Sequence, residues 1–425
     1  MKIALPTLIA AVAVAGVAFT TPADTMEGHT SVSPQDIKWG PAPAMLPPGA
    51  EAAVLFGDPS KEGLFVLRLR FPAGYSVAPH GHPVDEVVTE LPDHPGVIHY
   101  LLHAYDNTPY ASRGLTAALR LPKVAPSSPH ALQFPAHIFN RMGLWRESIA
   151  TNQAGAAVDD LFFKPHAMDF LVHSYLQTGQ AVAAKDVVDQ IAAIKIIPHL
   201  LDAFAAAAMP ARYAIERRRW DEAAALSLPQ QGTFAWQDFP HAEAASVFAR
   251  ALGAARGGDT DAAKKDLDLL QELRANLIKA NGEGTWQQYW VSKIENDRQV
   301  VTAWIAYKHG RHDEALRMLR AAADHEDSTE WDPVMPGHII SARQNLGEML
   351  LDANNPAQAL QAFEAALKTE PFRFWSLHGA ARAADLSGDR AKAEAYYAML
   401  VGQTASADVQ QYPDLKVARA FLEKE

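Results

Sequence analysis

The chain has 425 residues, 48% of them apolar, which supplies ample core material and excludes disorder as the global state. Its 38 basic against 49 acidic residues leave a net charge of −11 with no basic stripe, which excludes a nucleic-acid binder of the usual kind. Cysteine is absent, so disulfides, thiol nucleophiles, iron–sulfur clusters and thiolate zinc sites are excluded, and any metal must be held by His, Asp or Glu. Of the 28 prolines, 18 fall within residues 1–135, so two different architectures share the chain.

At the N-terminus, Lys2 precedes an apolar run, 3–19, broken only by Pro6 and Thr7, and a small-residue stretch, 20–24, follows. This is the pattern of an export signal cleaved near Ala23. Residues 1–23 are therefore expected to be a signal peptide, and the mature chain to be periplasmic or secreted. No other segment reaches 18 apolar residues without charges, so no membrane span is expected after cleavage.

Residues 33–90 read as β-rich. Pro41, Pro43, Pro47 and Pro48 mark an extended entry, 52–56 is a short apolar strand, and 65–71 alternates. Phe65, Leu67, Leu69 and Phe71 share one face of that strand, with Arg68 and Arg70 on the other. Beyond the turn at 72–74 comes His80-Gly-His82, with Glu86 four residues later. Two His in an H-x-H strand point to one side, and a carboxylate at that distance can close a facial N/N/O set around Fe, Mn, Ni, Cu or Zn. The spacing of Gly74, His80, His82 and Glu86 resembles the first metal motif of the cupin family. The resemblance implies a metal at His80, His82 and Glu86, and a cupin-type oxygenase or isomerase as the enzymatic form. The sequence shows no second motif with a fourth His, so it implies half a cupin barrel.

From residue 94 the apolar period changes to 3.6, rich in Ala and Leu. Gly347, Leu350, Ala359, Phe363, Ala366 and Pro371 fall at the offsets of a 34-residue tetratricopeptide repeat (TPR), and Leu377, Ala381, Gly388, Ala393 and Tyr397 continue it. Turns recur at Gly143, Gly179, Arg219-Trp220, Gly257-Gly258 and Gly310, each before an amphipathic helix. Small residues at these offsets let helices A and B of a pair cross closely. The expected fold is mainly α: a TPR-like α-solenoid of antiparallel helix pairs over 94–425, roughly seven of them, behind the β-rich half-cupin segment. Segment 94–106, with its His-Pro-Gly-x-x-His-Tyr-x-x-His-Ala-Tyr-Asp pattern, resembles bacterial tetratricopeptide-repeat proteins, as do 125–139 and the Gly143-Leu-Trp-x-Glu turn. That resemblance implies a scaffold that binds a protein or peptide in its concave groove.

Histidines recur at helical spacings. His99, His103 and Asp106 lie at i, i+4, i+7, a second candidate metal face. His130 and His137, and His166, Asp169 and His173, also share faces, and are expected to line the groove as packing, metal-binding or recognition residues. Residues 100–102 are Tyr-Leu-Leu, so the zinc-protease H-E-x-x-H pattern is absent, as are G-x-S-x-G and a phosphate loop. No catalytic residue is assigned, and a binding scaffold is favoured over a metal-dependent enzyme. The aromatic clusters at 286–307 and 372–375 are expected in the core, and Arg217, Arg218 and Arg219 at a solvated helix end.

Overall fold

The computed structural model describes residues 9–14, 37–43, 46, 48–56, 58–59, 65–72, 86–87, 94–158, 163–194, 196, 198–227, 234–280, 285–329 and 335–423. The chain divides into two compact units, Met1–Leu101 and Leu102–Glu425.

Among the described residues of the first unit, five antiparallel strands form one sheet: β1 (Ile9–Val14), β2 (Gly40–Pro41), β3 (Glu51–Phe56), β4 (Phe65–Arg70) and β5 (Glu86–Val87), in the order β2-β3-β4-β1-β5. β3 and β4 fall where the apolar and alternating runs predict strands. Glu51 lies opposite Arg70, and their side chains pair at 3.0 Å, while the Arg70 guanidinium stacks 4.0 Å over Trp39. Both partners are partly exposed, so the pair fixes register more than it stabilises. A bulge between Val54 and Phe56 bends β3. Residues 9–14, within the run read as the core of an export signal, are strand β1 between β4 and β5. The segment Ile-Ala-Ala-Val-Ala-Val is short, apolar and partly β-branched, which suits a strand as well as a leader. His80 and His82 lie outside the described residues. Glu86 opens β5, and its side chain is likewise outside them.

Helix α1 (Pro95–Tyr105) contains the boundary between the units. The second unit continues with α2 (Ala111–Val124) and α3 (Pro129–Gln133). Seven helix pairs then follow among the described residues, each with an A and a B helix: α4 (Pro135–Arg141) and α5 (Trp145–Ala157), α6 (Lys164–Gln177) and α7 (Ala181–Ile191), α8 (Leu200–Glu216) and α9 (Trp220–Ala224), α10 (Pro240–Gly257) and α11 (Thr260–Ala280), α12 (Thr285–Lys308) and α13 (His312–Asp327), α14 (Ala342–Asp352) and α15 (Pro356–Thr369), and α16 (Phe374–Leu386) and α17 (Arg390–Gln403). Helix α18 (Asp414–Leu422) ends the array. Each pair packs on the next, which is the helical-repeat architecture the periodicity predicts.

The turns between A and B helices explain the glycine spacing. Gly143, Gly179, Gly258, Gly310 and Gly388 all have φ between 67° and 98°, a left-handed region costly for any other residue. Arg218 and Asn354 hold the same conformation at the two remaining turns. Close helix crossing explains others. Phe363 of α15 is buried between Gly347 of α14 and Gly379 of α16, where a Cβ would come within 2.7 Å and 2.3 Å of its ring.

Unlike a simple stack, this array also joins its first pairs to its last. The Trp145 indole donates to the Phe372 carbonyl, and the ring of Phe372 fills the space above Gly143. The Asp408 amide donates to the Gly179 carbonyl, and the Val182 amide to the Asp408 carboxylate. Ala181 of α7 shares a core cluster with Phe374, Leu377, Tyr397, Tyr412 and Leu415.

Candidate functional site: a buried polar seam

Where early and late pairs meet, the A helices present polar side chains to one another. The seam has three stations, all in the second unit.

At the first, Asp106 follows α1. Its Oδ1 accepts from Arg141 Nε at 2.9 Å, and its Oδ2 from His137 Nδ1 at 2.8 Å. Burial alone would raise the Asp106 carboxyl, but Arg141 and His137 hold it well below the usual carboxylate range. His137 Nε2 in turn meets His166 Nε2 at 3.2 Å. Phe134 and Phe170 flank these rings at 4.5 to 4.9 Å between centroids. Burial, reinforced by neighbouring His137 and His130, pushes His166 well below the ordinary imidazole range, so it is neutral.

The second station surrounds a non-helical strap, 335–341, that links α13 to α14. A buried strap needs donors for its carbonyls, and arginines supply them. Arg212 of α8 donates to the carbonyls of Gly337 and His338, both at 3.0 Å, while its Nε and Nη2 reach the two Asp169 oxygens at 3.1 and 3.3 Å. Arg373 donates to the Ile339 carbonyl at 2.7 Å and pairs with both Glu216 and Glu370. Gln177 completes the lock: its amide donates to Glu216 and its carbonyl accepts the Phe374 amide. Gly337 is required here, because a Cβ would stand 2.8 Å from Glu370 Oε1 and 3.1 Å from the His173 ring. Burial, and then the charges of Arg212 and Arg373, push His173 well below the ordinary range. Despite its own burial, Glu370 is held well below the carboxylate range by Arg373 and His338.

The third station joins the α8–α9 turn to α14. Glu348 accepts from Arg218 and from Arg256, the latter at 2.7 Å. Arg256 lies 3.9 Å over Trp304, and Arg218 4.5 Å over Trp375. Arg218, expected at a solvated end, is thus committed to the interior, and this accounts for its positive φ.

Beside the seam lies a recess between α12, α13 and the strap, lined by Ser292, Lys293, Asn296, His325, Glu326 and His338. Asn296 is 2% exposed and its Nδ2 donates to Glu326, while its Oδ1 has no partner among the described residues. Ser292 Oγ lies 2.7 Å from His325 Nε2, and Lys293 is paired with Asp297.

The structure therefore redistributes the residues singled out from sequence. Of the five assigned to an open concave groove, His137, His166, Asp169 and His173 are buried and His130 half-buried. The inner face that a solenoid leaves open is covered here by the strap and by the last pairs. Of the alternative metal face, Asp106 turns its two oxygens to His137 and Arg141 and is not grouped with His99 and His103 within ligand distance. His99 and His103 remain one turn apart on α1, the His103 ring sits 4.3 Å from Phe134, and His103 and His130 bring one ring nitrogen each within 4.8 Å. The aromatic clusters are core as expected: Trp290, Trp304 and Phe374 are buried, although Phe372 is 41% exposed. Sequence reasoning missed Arg141, Arg212, Glu216, Glu326, Glu348, Glu370 and Arg373. A charged residue at an inward helical position was the available signal.

No family model matches the chain, and no curated protein matches it. Among solved structures it is similar to the TPR domain of P58(IPK), at 14% identity over 78% of this chain and 90% of that one, with a TM-score of 0.26. The helix pairing described above, and not this likeness, assigns the repeat architecture.

Proposed function

We propose that the chain is an exported TPR-like scaffold that binds a protein or peptide segment, with the recess at Asn296 as the place where backbone groups of that segment are held. The supporting observation is the Asn296 side chain. Its buried Oδ1 lacks a donor among the described residues, and a peptide N–H supplies one. Ser292, His325 and Lys293 around it offer further polar contacts. Export, and divalent-metal binding at His80, His82 and Glu86, belong to the same reading and rest on their sequence motifs.

The test is selection of peptides from a random display library on the immobilised chain, with affinities then measured for the wild type and for Asn296→Leu. The reading predicts peptides sharing a motif, whose affinity falls about 10-fold or more in the variant, the size of a lost buried hydrogen bond. Peptides that bind both proteins equally would place the binding surface elsewhere, and no selected peptide at all would sink the scaffold reading.

A further inference from the structure

The first station of the seam has a feature that packing alone does not require: two imidazole Nε2 atoms converge. We propose that His137 and His166 are the ligands of a divalent transition-metal site, of the zinc, cobalt or nickel type, with Asp106 and Arg141 orienting His137 from behind.

The distance fits. Two nitrogens bound to one ion at about 2.0–2.1 Å and separated by the 3.2 Å observed here subtend an angle of roughly 100–105°, close to tetrahedral. The orientation fits as well. A metal-bound His commonly gives its other ring N–H to a carboxylate, which fixes its tautomer. His137 does this through Nδ1 to Asp106, whose second oxygen is pinned by Arg141. The lone pair of a neutral His137 is thereby placed on Nε2, facing His166. The His166 Nε2 faces the same point, and a neutral His166 becomes a ligand by a shift of its single ring proton to Nδ1, with no proton lost. The Phe134 and Phe170 rings give the pair an apolar surround, which lowers the competition from water. His130 stacks 4.7 Å from Phe163 and lies 4.8 Å from Phe134, the ring that also flanks His137. The remaining positions are left to water or to an anion that enters with the ion. It is separate from the His80–Glu86 motif and from the peptide recess at Asn296, and its test is indifferent to the outcome of peptide selection.

The experiment uses the full chain, stripped with chelator and titrated with Co(II), followed by visible absorption, and with Zn(II) in competition with a chromophoric chelator. In the His80→Ala/His82→Ala protein, which removes the other candidate site, one ion per chain is expected, with sub-millimolar affinity and tetrahedral or five-coordinate cobalt bands. Affinity should fall at least 100-fold in His137→Gln and in His166→Gln. It should fall about 10–100-fold in Asp106→Asn, which keeps both ligands and loses only the orienting charge. His80→Ala/His82→Ala should keep this site, and exposed His309→Gln should bind as the wild type does. X-ray absorption of the zinc-loaded His80→Ala/His82→Ala protein should count at least two imidazoles, a readout that does not depend on the buried variants folding. No sub-millimolar binding overturns the proposal. So does binding that survives in His166→Gln, or that disappears in His80→Ala/His82→Ala.

Discussion

His241, in the first turn of α10, sits in a cage of Phe204, Phe239, Trp286 and Trp290, and its Nε2–H donates to the Leu200 carbonyl at 3.3 Å. Burial pushes its pKa down to about 4, against the modest pull of that hydrogen bond. The unfolded chain binds a proton near pH 6.5 and the folded chain does not. Stability is therefore full above pH 6.5 and is lost as pH falls towards 4, by about 3 kcal/mol from this residue alone. His166 and His173 act in the same direction. Urea unfolding at pH 7 and pH 5 should show a clear loss for the wild type and a smaller one for His241→Phe. Equal losses in the two proteins would show that the cage does not exclude the charged ring.

At the scale of elements, close crossing of α14, α15 and α16 around Phe363 sets a sharp limit on size. Gly379→Ala drives a methyl to within 2.3 Å of a ring that has nowhere to move, and should cost about 1–3 kcal/mol. Gly402→Ala, in open space within α17, should be neutral or slightly stabilising. Thermal unfolding distinguishes the two, and similar melting temperatures would contradict the packing. This element was legible from sequence because Gly347, Phe363 and Ala359 recur at repeat offsets, and the offset itself encodes the contact. The turns were legible for the same reason, except at Arg218 and Asn354, where interactions with distant residues or a short polar side chain replace glycine. The strands β3 and β4 were legible from alternation. That 9–14 can also form a strand was not, because an apolar run fits a leader and a strand equally. The seam was least legible. Which inward charge meets which depends on pairs more than a hundred residues apart: Arg212 with Gly337, Arg373 with Glu216. No local period reports that.

The helical unit as a whole departs from the open solenoid expected of such repeats. In an open array each pair feels only its neighbours, and damage stays local. Here α6 and α8 are bound to the strap and to Arg373 through buried, charge-assisted hydrogen bonds, whose partners are costly to leave unmatched. A closed interior also explains why burial pushes His166 and His173 below the ordinary imidazole range. The recess beside Asn296 and the His137–His166 pair are the ligand sites we propose within it. The most direct measurement is hydrogen exchange by mass spectrometry on the wild type and on Arg373→Lys, which keeps the charge and loses the planar fork. The closed array predicts lost protection in 164–177, 200–216 and 335–341 as well as in α15 and α16. Loss confined to α15, α16 and their immediate neighbours would mean that the seam does not couple the two ends, and the account of a closed interior would fail.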